Sequence, residues 1–229
     1  MDKNIEIIFY EIDPEKADAA RLTLEGRYDC VCSAVADLPL NETGIALVTS
    51  GNSFGIMDGG LDLAVANRFL WCQHEVQAAI CNDYAGELPV GCAVRAWSRG
   101  DAPVVIYAPT MQVPMRIQHT ANVYYAMLAV LREARKSYRT RYGTRMAYIG
   151  QYDRACYVKR LYVPLMGCGT GGMTAAASIA QMLAAIDQER QRACGKLPDG
   201  MNWDYASALH ARWHRLSGVC DSEEGMPMD

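Results

Sequence analysis

The feature that most constrains this chain occurs twice: a strand-like run, then a loop of small residues, then a helix-forming stretch. Ile45 to Thr49 opens onto Ser50-Gly51-Asn52-Ser53-Phe54-Gly55-Ile56-Met57-Asp58-Gly59-Gly60. Cys156 to Leu165 runs into Met166-Gly167-Cys168-Gly169-Thr170-Gly171-Gly172-Met173. The first run, apolar up to its closing Thr49, has no solvated face. It predicts a strand covered on both sides, as central strands of parallel sheets are. Parallel neighbours require crossover connections, usually helices, so the pattern predicts layers of helix around a sheet.

The rest of the chain reads the same way. Ile5 to Tyr10 and Tyr28 to Val35 are strand-like, and Asp13-Pro14 starts a helix that closes at Gly26. Helices are expected over Leu61 to Phe69 and Trp71 to Tyr84, with strands over Cys92 to Trp97 and Val104 to Tyr107. A long helix spans His119 to Tyr138, and an alanine-rich one spans Thr174 to Arg190. Residues 1–193 form one α/β unit on this reading. In residues 194–229, Gly195 to Asn202 is a linker, Trp203 to Leu216 a helix with an apolar stripe (Ala206, Leu209, Trp213, Leu216), and Asp221 to Asp229 an acidic tail.

Composition narrows the function classes. Of 229 residues, 51% are hydrophobic and 21% charged, enough to bury a core. A net charge of −4 argues against nucleic acid or an anionic membrane as the main partner. Arg132, Arg135, Lys136, Arg139, Arg141 and Arg145, interleaved with Tyr138 and Tyr142, admit a single-stranded nucleic-acid patch. They read first as a solvated helix end, since cations favour helix C-termini. No apolar run reaches the ~18 residues of a membrane helix. The opening MDKNIEIIFYEID lacks the basic and apolar regions of a secretory signal, and the nine cysteines include no CxxC pair. A cytoplasmic protein with reduced thiols and no metal or cofactor is expected. His210 and His214 lack the intervening Glu of a zinc-protease motif and read as a surface pair.

The two glycine-rich loops carry the chemistry. Open α/β sheets bind ligands outside the carboxyl ends of their strands. Glycines allow close backbone approach, and helix N-termini favour anions. Two such loops suggest a diphosphate or similar anion held between them. Gly167 to Gly172 also matches GxGxxG, but Asp187, at the offset of the dinucleotide acid, falls inside a predicted helix. A dehydrogenase is therefore not expected. Asn52 is a short amide just past a buried strand. Asp62 opens the following helix, where an acid either caps it or addresses ligand hydroxyls. Tyr107 is among the tyrosines able to stack on a base.

These residues resemble the macrodomain family. Its first loop follows a Val-rich strand with Asn-Ala-Ala-Asn, then Gly-Gly-Gly-Val-Asp; here the stretches are Val48-Thr49-Ser50-Gly51-Asn52 and Asp58-Gly59-Gly60-Leu61-Asp62. Its second loop, Pro-x-x-Gly-x-Gly-x-Gly-Gly, is matched by Pro164 to Gly172, and its Gly-Asp-Ile by Ala36-Asp37-Leu38. The chain departs from the pattern at Thr49, in place of an Asn, and at Asp58, in place of a Gly. The Gln-Glu-Glu of poly(ADP-ribose) glycohydrolases does not follow Gly60. The resemblance implies a three-layer α/β/α sandwich with a mixed, mostly parallel sheet and, here, a C-terminal helical extension. It implies a cleft for ADP-ribose or an ADP-ribosyl derivative. Asp37, with Leu38, would read adenine, and Asn52 would face the distal ribose. Gly59, Gly60, Gly167, Cys168, Gly169, Thr170, Gly171, Gly172 and Met173 would cradle the diphosphate. The family includes binding modules and hydrolases. In a metal-independent hydrolase, Asn52 with Asp58 or Asp62 would position the attacking water.

Overall fold

The computed structural model describes residues 5–96, 103–136, 158–193 and 203–218. Six strands pair into one sheet: β1 (Glu6–Glu11), β2 (Asp29–Cys32), β3 (Ile45–Thr49), β4 (Val94–Ala96), β5 (Val104–Tyr107) and β6 (Arg160–Pro164). Their spatial order is β2-β1-β6-β3-β5-β4. All neighbours are parallel except the edge pair β4–β5. The sheet is thus mixed and mostly parallel. β6, last in the chain, lies between β1 and β3.

Alternation of side chains sends each strand's residues into two apolar layers. Phe9, Ala46, Val48, Ile106, Leu161 and Val163 point to one side. Helices α1 (Pro14–Leu24), α4 (Asn122–Arg135) and α5 (Ala175–Ala193) cover that side. Tyr10, Leu47, Val105, Tyr107 and Tyr162 point to the other. There α2 (Gly60–Arg68) and α3 (Cys72–Tyr84) lie over them through Val65, Cys72, Val76 and Ile80. The result is a three-layer α/β/α sandwich. β3, apolar from Ile45 to Val48 and closed by Thr49, is buried at all five positions. In α1, Asp13 accepts hydrogen bonds from the amides of Glu15 (3.0 Å) and Lys16 (3.4 Å), ahead of Pro14.

Several expectations change in detail; the helix read from His119 begins at Asn122 as α4, and the strand read through Leu165 spans Arg160–Pro164. The strand read over 28–35 closes at Cys32, because β2 is a sheet edge with Val31 and Cys32 exposed. Val35–Asp37 instead forms a 3-10 turn. The final helix, α6 (Trp203–Ser217), meets α5 through polar groups among its described contacts. Arg212 donates to the Ala184 carbonyl (2.6 Å) and to Gln188 Oε1 (3.0 Å), and Gln181 donates to the Leu216 carbonyl (3.0 Å). Leu216 packs on the core, while Ala206 of the expected stripe is exposed.

The described part of the basic run is tied to the fold. Glu189, buried on α5, accepts from Arg132 (3.0 Å), Arg135 (3.2 Å) and Arg192 (2.8 Å). Tyr138, Arg139, Arg141, Tyr142 and Arg145 lie outside the described residues, as do the start of the expected strand at Cys156, the expected linker and the acidic tail. Among the described residues no helix is long and apolar enough to cross a membrane.

Candidate functional site

β3 and β6 are adjacent and parallel, in register Ile45↔Arg160, Ala46↔Leu161 and Leu47↔Tyr162. Their loops therefore leave the sheet side by side at its carboxyl edge. Chain distance alone would not bring them together, since more than a hundred residues separate them.

The first loop is held from within. Asn52 Oδ1 accepts from the amides of Phe54 (3.0 Å) and Ile56 (3.3 Å), and its Nδ2 donates to the Ile56 carbonyl (2.8 Å). Both ends of this amide thus shape the turn. The Met57 amide donates to Gln73 Oε1 (2.9 Å), fixing the loop on α3. Beyond that point Asp58, Gly59 and Gly60 are exposed. Gly59 is the N-cap of α2 and supplies no side-chain cap, so the first amides of α2 are left without a side-chain acceptor from the cap position.

Asp62 does not cap α2. It is 7% exposed and turned inward, where Thr49 Oγ1 donates to its Oδ1 at 2.5 Å. Burial pushes its carboxyl up to about 7, and the nearby charge of Asp58 adds to the rise; the Thr49 hydrogen bond opposes it. The Tyr107 hydroxyl donates to the Asn52 carbonyl (2.7 Å), and the ring is wholly buried, so Tyr107 has no face open to a base. Gly51 lies against this group. A Cβ there would collide with Asp62 Oδ2 and stand 2.7 Å from the Tyr107 hydroxyl. Thr49, Gly51 and Tyr107 were not legible as a unit, because no local spacing joins positions 49, 51, 62 and 107. A polar residue closing an otherwise apolar strand was the available signal for Thr49.

Asp37 is exposed at the end of the 3-10 turn, and Leu38 is buried behind it. Arg68 of α2 donates to the carbonyls of Val35 and Leu38, the latter at 3.0 Å. Partial burial holds the Arg68 guanidinium below its usual value, and the Asp37 charge opposes that drop. The turn carrying Asp37 is therefore fastened to the helix that the first loop opens.

The second loop folds back on itself. The Met173 amide donates to the Gly167 carbonyl and the Gly172 amide to the Gly169 carbonyl, both at 3.0 Å. Gly169 and Thr170 are exposed, and a Cβ on Gly169 would meet nothing within 4 Å. Gly171 is crowded: a Cβ there would stand 2.6 Å from the Gly167 carbonyl oxygen and 2.7 Å from Ile117. Cys168 is buried, and desolvation pushes its thiol up to about 11, so at neutral pH it is no thiolate nucleophile.

A third segment joins the two loops. It follows β5 and spans residues 108–121. The Ser53 amide donates to the Gln112 carbonyl (3.0 Å), and the Thr110 amide to the Gly51 carbonyl (3.1 Å). At its other end the Ile117 amide donates to the Gly171 carbonyl (3.0 Å). Sequence reasoning passed over this segment because it has no glycine and no motif. A cavity of about 710 Å³ lies at the opposite, amino edge of the sheet, between Ile5, Tyr28, Leu131 and Arg190. It is remote from all three loops.

No family model and no curated protein matches the chain. Similar solved structures include the macrodomain of Mycobacterium tuberculosis DarG, at 20% identity and a TM-score of 0.46, over 64% of this chain and 83% of that one. Thermosipho africanus DarTG in complex with ADP-ribose is similar at 16% identity and a TM-score of 0.43, over 77% of this chain and 50% of that one. Alphavirus P23pro-zbd is similar at 15% identity and a TM-score of 0.42, over 86% of this chain and 25% of that one. This chain thus spans half or less of the latter two. Macrodomains are among the solved structures this chain is similar to.

Proposed function

We propose that the chain binds ADP-ribose, or a molecule that carries it, across the carboxyl ends of β3 and β6. The adjacency of these strands carries the reading, because it sets two glycine-rich loops side by side where open α/β sheets take ligands. The resemblance of both loops and of Ala36-Asp37-Leu38 to macrodomain motifs supports the identity of the ligand. The uncapped start of α2 and the open side of Gly169 leave backbone N–H groups free to meet phosphate oxygens. Asp37, exposed and with no side-chain hydrogen bond to another described residue, suits an exocyclic amine. Asn52 holds the first loop in shape, and one Nδ2 hydrogen remains for a ribose hydroxyl. Residues 1–193 form the binding unit and residues 194–229 an appendage on this reading. A reducing, cytoplasmic setting fits the six described cysteines, all free thiols.

Titration calorimetry with ADP-ribose tests the proposal. One-to-one saturable binding is expected, with AMP weaker and an unrelated sugar phosphate silent. Absence of any ADP-ribose binding by the folded protein would sink it. A hydrolytic reading has one favouring observation: Asp58 is an exposed carboxylate directly before Gly59, at the open part of the first loop. Turnover of an ADP-ribosyl ester that survives EDTA and falls in Asp58→Ala would support hydrolysis. No turnover would leave a binding module.

A further inference from the structure

We infer that Arg116, on the segment after β5, is a specificity-determining cation that completes the diphosphate site on the second glycine loop. This rests on the ADP-ribose reading for the placement of the ligand. The guanidinium lies over the backbone of Gly172. A Cβ on Gly172 would collide with Arg116 Nη1 and stand 3.1 Å from its Cδ and 3.2 Å from its Cζ. Gly172 has a φ of +71°, so glycine is favoured there by conformation as well as by the arginine above it.

The segment that carries the cation is held in place, and among the described residues none neutralises it. Ile117, its neighbour, is 1% exposed; it packs against Gly167 and Gly171, and its amide bonds Gly171. The other end of the segment is tied to the first loop through Thr110–Gly51 and Gln112–Ser53. Arg116 itself is exposed and makes no hydrogen bond or ion pair with another described residue. Segments 108–121 and 165–174 contain no acid, and Arg116 is their only lysine or arginine. Three arginines at the other edge of the sheet differ: Arg27, Arg132 and Arg135 face Asp187 or Glu189. A planar guanidinium beside a turn of backbone N–H groups matches a diphosphate, which takes paired hydrogen bonds from it. It also offsets the repulsion that Asp58 and Asp37 place on an anionic ligand. Its consequence is selectivity for ligands that carry the diphosphate over neutral nucleosides.

Calorimetry on the parent protein, Arg116→Gln and Arg116→Lys tests this, with ADP-ribose, adenosine and inorganic pyrophosphate as probes at two salt concentrations. The glutamine variant is expected to bind ADP-ribose and pyrophosphate about tenfold more weakly. Adenosine binding should be unchanged and the salt dependence flatter, while lysine restores part of the loss. Melting temperature should stay at the parent value, since the side chain is exposed. Parent-like ADP-ribose and pyrophosphate binding in Arg116→Gln would overturn the inference. So would tighter binding, which would mean that the guanidinium occupies the ligand's place. A parent that binds pyrophosphate through Arg116 but ignores ADP-ribose would defeat the ADP-ribose reading and keep the anion site. A parent that binds neither overturns both.

Discussion

Asp62 keeps its proton to far higher pH in the fold than an exposed aspartate does. Its carboxyl rises from an ordinary 3.8 to about 7 because it is buried. The folded chain therefore holds this proton more tightly than the unfolded chain does. The stabilisation is complete below about pH 4 and is lost as pH rises from there toward 7. Asp62→Asn keeps the shape and an acceptor for Thr49 Oγ1 without the charge. Its melting temperature should match the parent near pH 4 and exceed it at pH 8, where the difference in stability is on the order of 4 kcal/mol at most. Equal melting curves at pH 8 would show that the buried carboxylate costs nothing. Asp37 acts on the ligand rather than on the fold. It is exposed, so Asp37→Ala should leave stability nearly unchanged and weaken ADP-ribose binding by about 1.5–3 kcal/mol, the loss of a charge-assisted hydrogen bond. Unaltered affinity would separate Asp37 from the adenine. The position of Asp37 past a strand could be read locally. The inward turn of Asp62 could not, because its partner Thr49 lies on another element.

At the scale of elements, the second glycine loop separates binding from folding at neighbouring positions. A Cβ at Gly169 meets open space, whereas one at Gly171 meets the Gly167 carbonyl and Ile117. Gly169→Glu should therefore fold with nearly the parent melting temperature and lose ADP-ribose binding, since its carboxylate would enter and repel the diphosphate. Gly171→Ala should instead lower the melting temperature, because backbone must move. Binding that survives in folded Gly169→Glu would exclude this loop from the site. The loops themselves, like β3 and β5, were legible because burial on both faces leaves an unbroken apolar run, and small residues end it. β2 was overread because an edge strand is short, and the residues beyond it were free to turn. The segment after β5 escaped notice for a different reason. Its hold on the two glycine loops is made by backbone amides and by Ile117, whose types carry no signature.

Across the whole molecule, layer architecture followed from alternating strand and helix patterns, but strand order did not. Apolar periodicity says that a strand is central without naming its neighbours. The order places β6 in the middle, and Leu161 there is fully buried against one helical layer. Leu161→Ala should destabilise the protein by about 2–5 kcal/mol, more than the same change at the exposed Leu63. Denaturant unfolding would measure it, and a loss below ~1 kcal/mol would mean that the layer closes around the gap. The central place of β6 also has a consequence in time. A ribosome delivers β1, β2, β3, β4 and β5 before it, so the nascent chain holds two partial sheets whose inner edges, β1 and β3, have no partner. The strand that joins them brings the second glycine loop in the same few residues. A chain stalled before Arg160 should stay open to protease and blind to ligand, and both properties should reverse together once synthesis has passed the helix that follows.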